Sequence, residues 1–247
     1  MTERCEIWMS GLAAETTADL ALLNPVELAR RDRYLFAADR SRFTLGVALS
    51  RRLAGRMLGL APEHVHLDRT CERCGEPHGK PSLPGTGVHL SISHSADLVA
   101  VAITRAAAVG LDVELIDPAL RTGSDFPGSI RPDGIQPDGI QPDGIQPDGI
   151  QPDGIKPPSA PDFFRTWCRT EAVVKATGDG LRVPPESVIV SRPDEAPRLV
   201  AYPRAIAALQ LADLDLEPGY AAALAILTTE SVEITVNRSD GVFAPAN

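Results

Sequence analysis

The segment VGLDVEL, residues 109–115, places two carboxylates inside an otherwise apolar run. The run has the length and composition of a β-strand, in which side chains two positions apart share one face. Asp112 and Glu114 therefore point to the same side, and the leucine and valine side chains point to the other. Two neighbouring carboxylates repel each other unless a cation lies between them, and Mg²⁺ prefers such oxygen ligands. The alternative is a solvent-facing strand with two acids that bind nothing.

A predicted helix further along adds a third carboxylate and a lysine. The segment PDFFRTWCRTEAVVKATGDGL, residues 161–181, has apolar residues at helical spacing and glycines after its last turn. Glu171 and Lys175 are four residues apart and share one face of this helix. Such a pair is commonly a plain surface salt bridge. Phosphate chemistry on a metal, however, needs acids to hold the ion and a cation to face the phosphate.

Helices and strands alternate along the rest of the chain. A helical pattern covers residues 25–60 and begins after Asn24, and a second helix over residues 161–177 has Asp162 as its candidate cap. Glycines and prolines predict a loop over residues 68–88. Strands are predicted as a hairpin within 88–104 and as single segments at 108–115, 188–190, 220–227 and 232–236. This succession predicts an α+β or α/β fold.

Residues 130–154 repeat a five-residue unit, IRPDG followed by four copies of IQPDG. Pro-Asp-Gly is turn chemistry, and one isoleucine per unit cannot build a core. We expect a low-complexity insertion on the surface. The alternatives are a small β-solenoid or a partner-binding spacer.

Composition restricts the function further. The formal net charge is −9 and the pI is about 5.1, which argues against a general nucleic-acid binder. An acidic chain nevertheless carries eight arginines within residues 30–56. No secretory signal and no apolar run of membrane-spanning length is visible. Four cysteines without an export signal predict reduced thiols in a cytoplasmic protein.

Two loop segments carry further polar chemistry. GKP at residues 79–81 holds Lys80 in a constrained loop, and SISHS at residues 91–95 offers Ser93 and His94 after a strand. Each of these side chains could contact a phosphate. Each is also explained by an ordinary solvated or turn-stabilising role.

Residues 71–78 read CERCGEPH and contain a Cys-x-x-Cys pair. Cys71, Cys74 and His78 supply three zinc ligands, and His64 or His66 is a candidate for the fourth. We expect two reduced thiols here, with zinc as the alternative and a redox role as a weaker one.

Four motifs follow one another along the chain: GKP, SISHS, VGLDVE and, at residues 167–181, WCRTEAVVKATGDGL. Their order resembles that of the 4′-phosphopantetheinyl transferases of the Sfp type. The basic stretch ARRDRYLFAADRSRF, residues 29–43, is similar to the arginine-rich helical segment of that family. The resemblance covers roughly residues 22–115 and 161–227.

The resemblance implies a fold and a reaction. Such enzymes transfer the 4′-phosphopantetheine group of coenzyme A to a serine of an apo acyl or peptidyl carrier protein, with Mg²⁺, and release adenosine 3′,5′-bisphosphate. The carriers belong to polyketide, nonribosomal peptide or fatty acid synthases. The fold would be a monomeric pseudodimer of two similar halves, with the active site in the cleft between them. Residues 1–106 would form the half that binds coenzyme A phosphates and 107–247 the metal-binding half, with the insertion at about 118–160.

The resemblance also implies residue roles. Asp112, Glu114 and Glu171 would hold Mg²⁺. Glu171 would take the proton of the carrier serine, directly or through a water molecule, and Lys175 would contact the phosphate and assist the leaving group. The predicted coenzyme A ligands are Lys80, Ser93, His94 (for the 3′-phosphate), Arg30, Arg42 and Lys175.

Two departures from the family pattern matter. The family often has a lysine immediately before the helix glutamate, where this chain has Thr170, and Arg169 is our candidate substitute. The PDG repeat replaces a region that is helical in relatives and lies near the carrier. These departures leave a second hypothesis, a non-catalytic relative that binds coenzyme A or a carrier. A third and weaker hypothesis is a zinc-knuckle regulatory protein.

Overall fold

The computed structural model describes residues 2–12, 16–117, 159–206 and 208–239. The PDG repeat at 130–154 therefore lies outside the described residues. The helices are α1 (Thr17–Leu20), α2 (Pro25–Asp32), α3 (Ala37–Leu58) and α4 (Ala160–Thr177). The strands are β1 (Glu3–Gly11), β2 (His89–Ser95), β3 (Leu98–Thr104), β4 (Val109–Leu115), β5 (Ile189–Val190), β6 (Leu199–Ala201), β7 (Gln210–Asp213), β8 (Tyr220–Ile226) and β9 (Val232–Arg238).

The strands form two main sheets and one small one. The first has the order β2-β3-β1-β9, the second β4-β8-β7, and β5 pairs with β6. Strand β9 runs parallel to β1, so the end of the described chain joins the sheet in which the chain begins. The mixed α/β class predicted from sequence is confirmed. Strands β1, β6 and β7 were missing from the prediction.

Three apolar clusters separate four layers. One lies between α3 and the first sheet, with Val47, Leu53 and Val101 among its members. A second lies between the two sheets and takes the apolar face of β4. The third lies between the second sheet and α4, where Ala172 and Ala223 are among the buried residues. The two sheets therefore pack face to face, with a helix on each outer side.

The helix ends follow from local sequence. Asn24 caps α2 and forms a reciprocal capping box with Glu27. The helical region predicted over 25–60 consists of two helices, with residues 33–36 between them. Ser159, not Asp162, caps α4, because its hydroxyl accepts from the Asp162 N–H at the third helical position. No helix in the described ranges combines the length and the apolarity that crossing a membrane requires.

Strands β2 and β4 are both edge strands, and they meet through side-chain hydroxyls. The N–H groups of Leu111, Val113 and Leu115 donate to the hydroxyls of Ser91, Ser93 and Ser95, over distances of 3.0, 3.2 and 3.0 Å. We call these three serines the hydroxyl ladder. It satisfies backbone donors of β4 that point away from β8, which would otherwise be unpaired at a largely buried edge.

Gly110 sets the distance between β4 and α4. A Cβ atom at this position would lie 2.0 Å from the Ala172 carbonyl oxygen and 2.3 Å from the Ala176 nitrogen. Both of these are helix backbone atoms, which cannot rotate out of the way. The helix therefore rests directly on the strand backbone, and the side chains that flank this contact are brought to the β4 surface.

We expect Gly110→Ala to destabilise the protein by about 3 kcal/mol or more, because the added methyl group must push α4 off β4. Urea unfolding followed by far-UV circular dichroism measures the change. Gly11→Ala is the matched control, since a Cβ atom there meets nothing within 4 Å, and it should change stability by less than about 0.5 kcal/mol. Equal unfolding midpoints for the two variants would refute the contact.

Candidate active site

A buried carboxylate, a hydroxyl and an ammonium group meet where α4 rests on β4. Lys175 Nζ lies 2.6 Å from Asp112 Oδ1 and donates to Ser93 Oγ at 3.1 Å. The Ser93 hydroxyl donates to Asp112 Oδ1 at 3.1 Å and accepts from the Val113 N–H. One donor and two acceptor positions are all that a hydroxyl has. Ser93 is therefore fully occupied within the protein, and the phosphate contact predicted for it has no remaining bonding position in this arrangement.

Two further acids border this group. Burial, followed by the charge of Asp112, raises the pKa of Glu114 to about 7 and also raises the pKa of Glu171. Ser95 donates a hydrogen bond to Glu114 at 2.8 Å. Asp112, Glu114, Glu171 and Lys175 are the seam cluster, named for the seam between β4 and α4. Raised carboxyl pKa values follow when buried acids repel each other.

The seam cluster fits a divalent cation in its chemistry. Asp112 is 3% exposed, and its Oδ2 atom is buried without a hydrogen-bond partner. A buried carboxylate oxygen of this kind, flanked by two more acids, is a suitable oxygen ligand for Mg²⁺. The oxygens of the three acids are spread more widely than 4.8 Å, since within the described ranges only a Cys/Cys/His group meets that spacing. In this structure the ammonium group of Lys175 lies against Asp112.

Lys175 is held in its charged form. Burial opposes its charge, but the neighbouring Asp112, Glu171 and Glu114 outweigh this and raise the pKa of the lysine above its ordinary value. Its position four residues after Glu171 puts both side chains on the face of α4 that meets β4, as the spacing predicts. A fixed cation therefore stands beside the acids, suited to contact a phosphate oxygen.

His94 lies on the other side of Lys175, toward α3. Burial, then the charges of Lys175 and Arg42, lower the pKa of His94 to about 4, against a smaller opposite effect of Asp39. His94 is therefore neutral at pH 7 in this structure. Arg42 donates to the Ala96 carbonyl at 2.6 Å and pairs with Asp39 at 2.5 Å. The guanidinium group of Arg42 is thus anchored at the β2–β3 turn.

Lys80 is bound to the end of α4. Its ammonium group donates to the Ala176 carbonyl at 3.0 Å, near the helix C-terminus, where a cation is favourable. Burial lowers the pKa of Lys80 to about 8. The GKP loop is in this way attached to the helix that carries Glu171 and Lys175.

Arg30 lies in a different place, at a cavity of about 130 Å³. The cavity is also lined by Phe43 and by Arg69, and the two guanidinium groups lie 5.6 and 5.9 Å from the Phe43 ring centre. The Nε atoms of both arginines are buried without a hydrogen-bond partner. Burial, then repulsion by Arg30, lowers the pKa of Arg69 to about 10. We call this the guanidinium cavity.

The sequence did not point to Arg69. It is one arginine among many, in a segment read as loop, and only its burial beside Arg30 sets it apart.

The structure also corrects Arg169, the proposed substitute for the missing lysine at position 170. Arg169 is 0% exposed, and its guanidinium group binds Asp213, Ser191 and backbone carbonyls of the 191–195 segment. It holds the second half together and is not available to a phosphate.

The structure thus brings Ser93, Asp112 and Lys175 into direct contact and places Glu114, Glu171 and His94 around them. The other predicted ligands lie elsewhere. Lys80 is attached to the end of α4, Arg42 to the β2–β3 turn, and Arg30 lies at the guanidinium cavity.

Two known proteins are similar to the chain over more than two thirds of its length. No protein-family model matches the chain. The chain is 31% identical over 193 residues to the 4′-phosphopantetheinyl transferase HetI of Nostoc sp., covering 74% of this chain and 71% of that protein. It is 26% identical over 179 residues to the L-aminoadipate-semialdehyde dehydrogenase-phosphopantetheinyl transferase of Mus musculus, covering 72% of this chain and 55% of that protein. The first relative is similar over enough of both chains to establish that this chain belongs to the 4′-phosphopantetheinyl transferases.

Proposed function

We propose that the protein transfers the 4′-phosphopantetheine group of coenzyme A to a serine of an apo carrier protein, with Mg²⁺, and releases adenosine 3′,5′-bisphosphate. The observation that carries the proposal is the seam cluster, in which two acids and a lysine from two distant segments lie around the buried carboxylate of Asp112. The names of the two relatives supply the transferred group. The alternative of a non-catalytic relative is not favoured, because every group that the chemistry needs is present in the cluster.

The proposed architecture is a pseudodimer of the halves 1–106 and 107–247 with the active site in the cleft between them. Each main sheet packs one long helix against its outer face, α3 on the first sheet and α4 on the second. The seam cluster lies beside the hydroxyl ladder, where an edge strand of each sheet meets the other. This repeated pattern supports the proposal of two similar halves.

Asp112, Glu114 and Glu171 are the residues that would hold Mg²⁺. When bound, the ion would supply positive charge that offsets the charge of the coenzyme A phosphates. A cation among these acids would also lower the raised pKa values of the two glutamates, so that they remain ionised at neutral pH.

The remaining chemistry belongs to protein side chains. Glu171 accepts the proton of the carrier serine hydroxyl, whose oxygen forms a new bond to the phosphorus atom that bears the pantetheine arm. The bond from that phosphorus to the leaving phosphate oxygen breaks, and adenosine 3′,5′-bisphosphate carries away the electron pair. Lys175 stabilises the charge that develops on the phosphate oxygens. Ser93 positions the ends of Asp112 and Lys175 through its hydrogen bonds.

The phosphates of coenzyme A need several cationic contacts. The guanidinium cavity, with Arg30 and Arg69, is suited to one phosphate, since two cations held near each other, each with a buried and unpaired Nε atom, gain most from an anion. His94, Lys80 and Arg42 are the proposed further contacts. His94, neutral at pH 7, would donate one ring N–H to a phosphate oxygen or gain a proton as the phosphate binds.

The proposed partners are carrier proteins or carrier domains of polyketide, nonribosomal peptide or fatty acid synthases, and we propose a cytoplasmic monomer. The acidic net charge makes nucleic acid an unsuitable partner.

Incubation with coenzyme A, Mg²⁺ and a panel of apo carriers should add the mass of phosphopantetheine to at least one carrier. Glu171→Gln should lower the rate by about 100-fold or more, because the amide neither takes the serine proton nor carries the ligand charge. Intact mass spectrometry of the carrier measures the transfer. Glu186→Gln, on the surface, is the matched control and should retain the activity. A wild type that binds coenzyme A but modifies no carrier would favour the non-catalytic alternative.

Arg69→Gln should raise the KM for coenzyme A about tenfold or more, since a charge-assisted contact is worth about 1.5–3 kcal/mol, with a smaller effect on kcat. Steady-state kinetics at saturating carrier measures both constants. Arg192→Gln removes the same charge from an exposed position and should leave the KM unchanged. An unchanged KM for Arg69→Gln in a folded protein would show that the guanidinium cavity does not bind coenzyme A.

Stability should reveal the lowered pKa of His94. Between about pH 6.5 and pH 4 the unfolded histidine binds a proton that the folded one does not. The wild type should therefore lose stability relative to His94→Gln as the pH falls through this window, by on the order of 1–3 kcal/mol. Above pH 6.5 the difference should be constant. Denaturant unfolding at a series of pH values measures this difference, and parallel stability curves over the whole range would contradict the buried neutral histidine.

A further inference from the structure

A second group of metal-ligating side chains lies outside the seam cluster, on the loop between α3 and β2. The sulfur atoms of Cys71 and Cys74 and a ring nitrogen of His78 all lie within 4.8 Å of one another. Cys74 Sγ is 2.9 Å from His78 Nε2. Throughout the described ranges, no other set of three or more histidine, cysteine and acidic side chains is this close. Neither the transfer reaction nor the Mg²⁺ site uses these residues.

The backbone of residues 71–78, which we call the knuckle, is folded tightly around Cys71. The Gly75 N–H donates to the Cys71 carbonyl at 2.8 Å, and the Cys71 N–H donates to the Glu76 carbonyl at 2.8 Å. Gly75 has φ +77°, a left-handed conformation that glycine adopts without strain. The turn therefore brings two cysteines three residues apart onto the same side of the loop.

The turn also prepares one sulfur for a metal. The backbone N–H groups of Arg73 and Cys74 point at the Cys71 sulfur. Amide groups directed at a sulfur stabilise the thiolate, which is the form that binds a metal.

We propose that Cys71, Cys74 and His78 bind one Zn²⁺ ion, with a fourth position open to water or another small ligand. Two thiolates and one imidazole suit zinc in a tetrahedral site, whereas Mg²⁺ would prefer oxygen ligands. Binding releases the protons of the two thiols, so the affinity falls as the pH is lowered. His64 and His66, the candidates for the fourth ligand from sequence, do not join the group of three.

The knuckle is connected to both parts of the proposed coenzyme A site. Arg30 donates to the Pro77 carbonyl at 3.1 Å, and Pro77 is part of the wall of the guanidinium cavity. Lys80 follows His78 by two residues and donates to the Ala176 carbonyl. A metal ion that fixes the knuckle would therefore also fix Pro77 and Lys80. This consequence, unlike the zinc site itself, rests on the proposed function.

The full-length protein, stripped with a chelator under reducing conditions, should be titrated with Co²⁺ and then with Zn²⁺. We expect one equivalent of Co²⁺ to produce a thiolate-to-cobalt charge-transfer band and the intense visible bands of a tetrahedral site, and one equivalent of Zn²⁺ to remove them. Cys74→Ser and His78→Ala should each weaken binding by at least about 100-fold, since losing a ligand costs more than losing a residue behind one. His64→Ala is the matched control on a neighbouring exposed histidine and should bind as the wild type does.

Absence of the charge-transfer band in the reduced wild type would overturn the site, and so would an unchanged affinity in both ligand variants. Equal loss in His64→Ala would overturn the open fourth position, because His64 would then be a protein ligand. Because these readouts need neither coenzyme A nor a carrier, they stand if the proposed transfer fails. The coupling is tested separately by isothermal titration with coenzyme A: zinc-loaded protein should bind several-fold more tightly than stripped protein, and equal affinities would refute the coupling while leaving the metal site intact.

Discussion

The contact between the backbone of β4 and the backbone of α4 at Gly110 is the constraint on which the site depends. Because a side chain at this position would overlap two helix backbone atoms, only glycine lets the helix lie this close. Glu171 and Lys175 stand on the turns on either side of that contact, and Asp112 is the next residue along the same strand face. Because Gly110 has no side chain between the strand and the helix, Lys175 can lie 2.6 Å from Asp112. A glycine inside a strand often marks such a close approach.

The hydroxyl ladder supplies the second half of the geometry. Two edge strands usually join by backbone hydrogen bonds or stay apart, but here β2 offers serine hydroxyls to the N–H groups of β4. A serine at every second position is therefore explained by the two-residue period of a strand. Ser93 then serves both the ladder and the seam cluster, which fixes Asp112 relative to the joint between the sheets. The alternating serines of SISHS therefore join the two sheets, and Ser93 also positions Asp112 and Lys175.

Some of this was accessible from the sequence and some was not. Period and spacing predicted that Asp112 and Glu114 share a face, that Glu171 and Lys175 share another, and that Asn24 begins a helix, since each depends on neighbouring residues only. Strand β1 was missed because Ile7, Trp8 and Met9 are all buried, so a central strand shows no alternation. Its pairing with β9 joins residues more than 200 positions apart. The burial of Arg69 and of Arg169, which decides that one lines a cavity and the other is structural, also depends on such distant contacts.

Electrostatics relates the two charged regions to the ligand of the proposed function. Burial, followed by repulsion between the acids, raises the carboxyl pKa values of Glu114 and Glu171 in the seam cluster. Burial, followed by repulsion by Arg30, lowers the pKa of Arg69 in the guanidinium cavity to about 10. In each region like charges repel each other, and other interactions in the fold offset this repulsion. A ligand group of the opposite charge would reduce it. A diphosphate carrying a divalent cation at one end, joined to a further phosphate at the other, presents both charges in one molecule. Charges fixed before the ligand arrives need no reorganisation during the reaction, which is how preorganised sites lower a barrier. In the proposed function, the acids of the seam cluster and the arginines of the guanidinium cavity would be such fixed charges for one ligand.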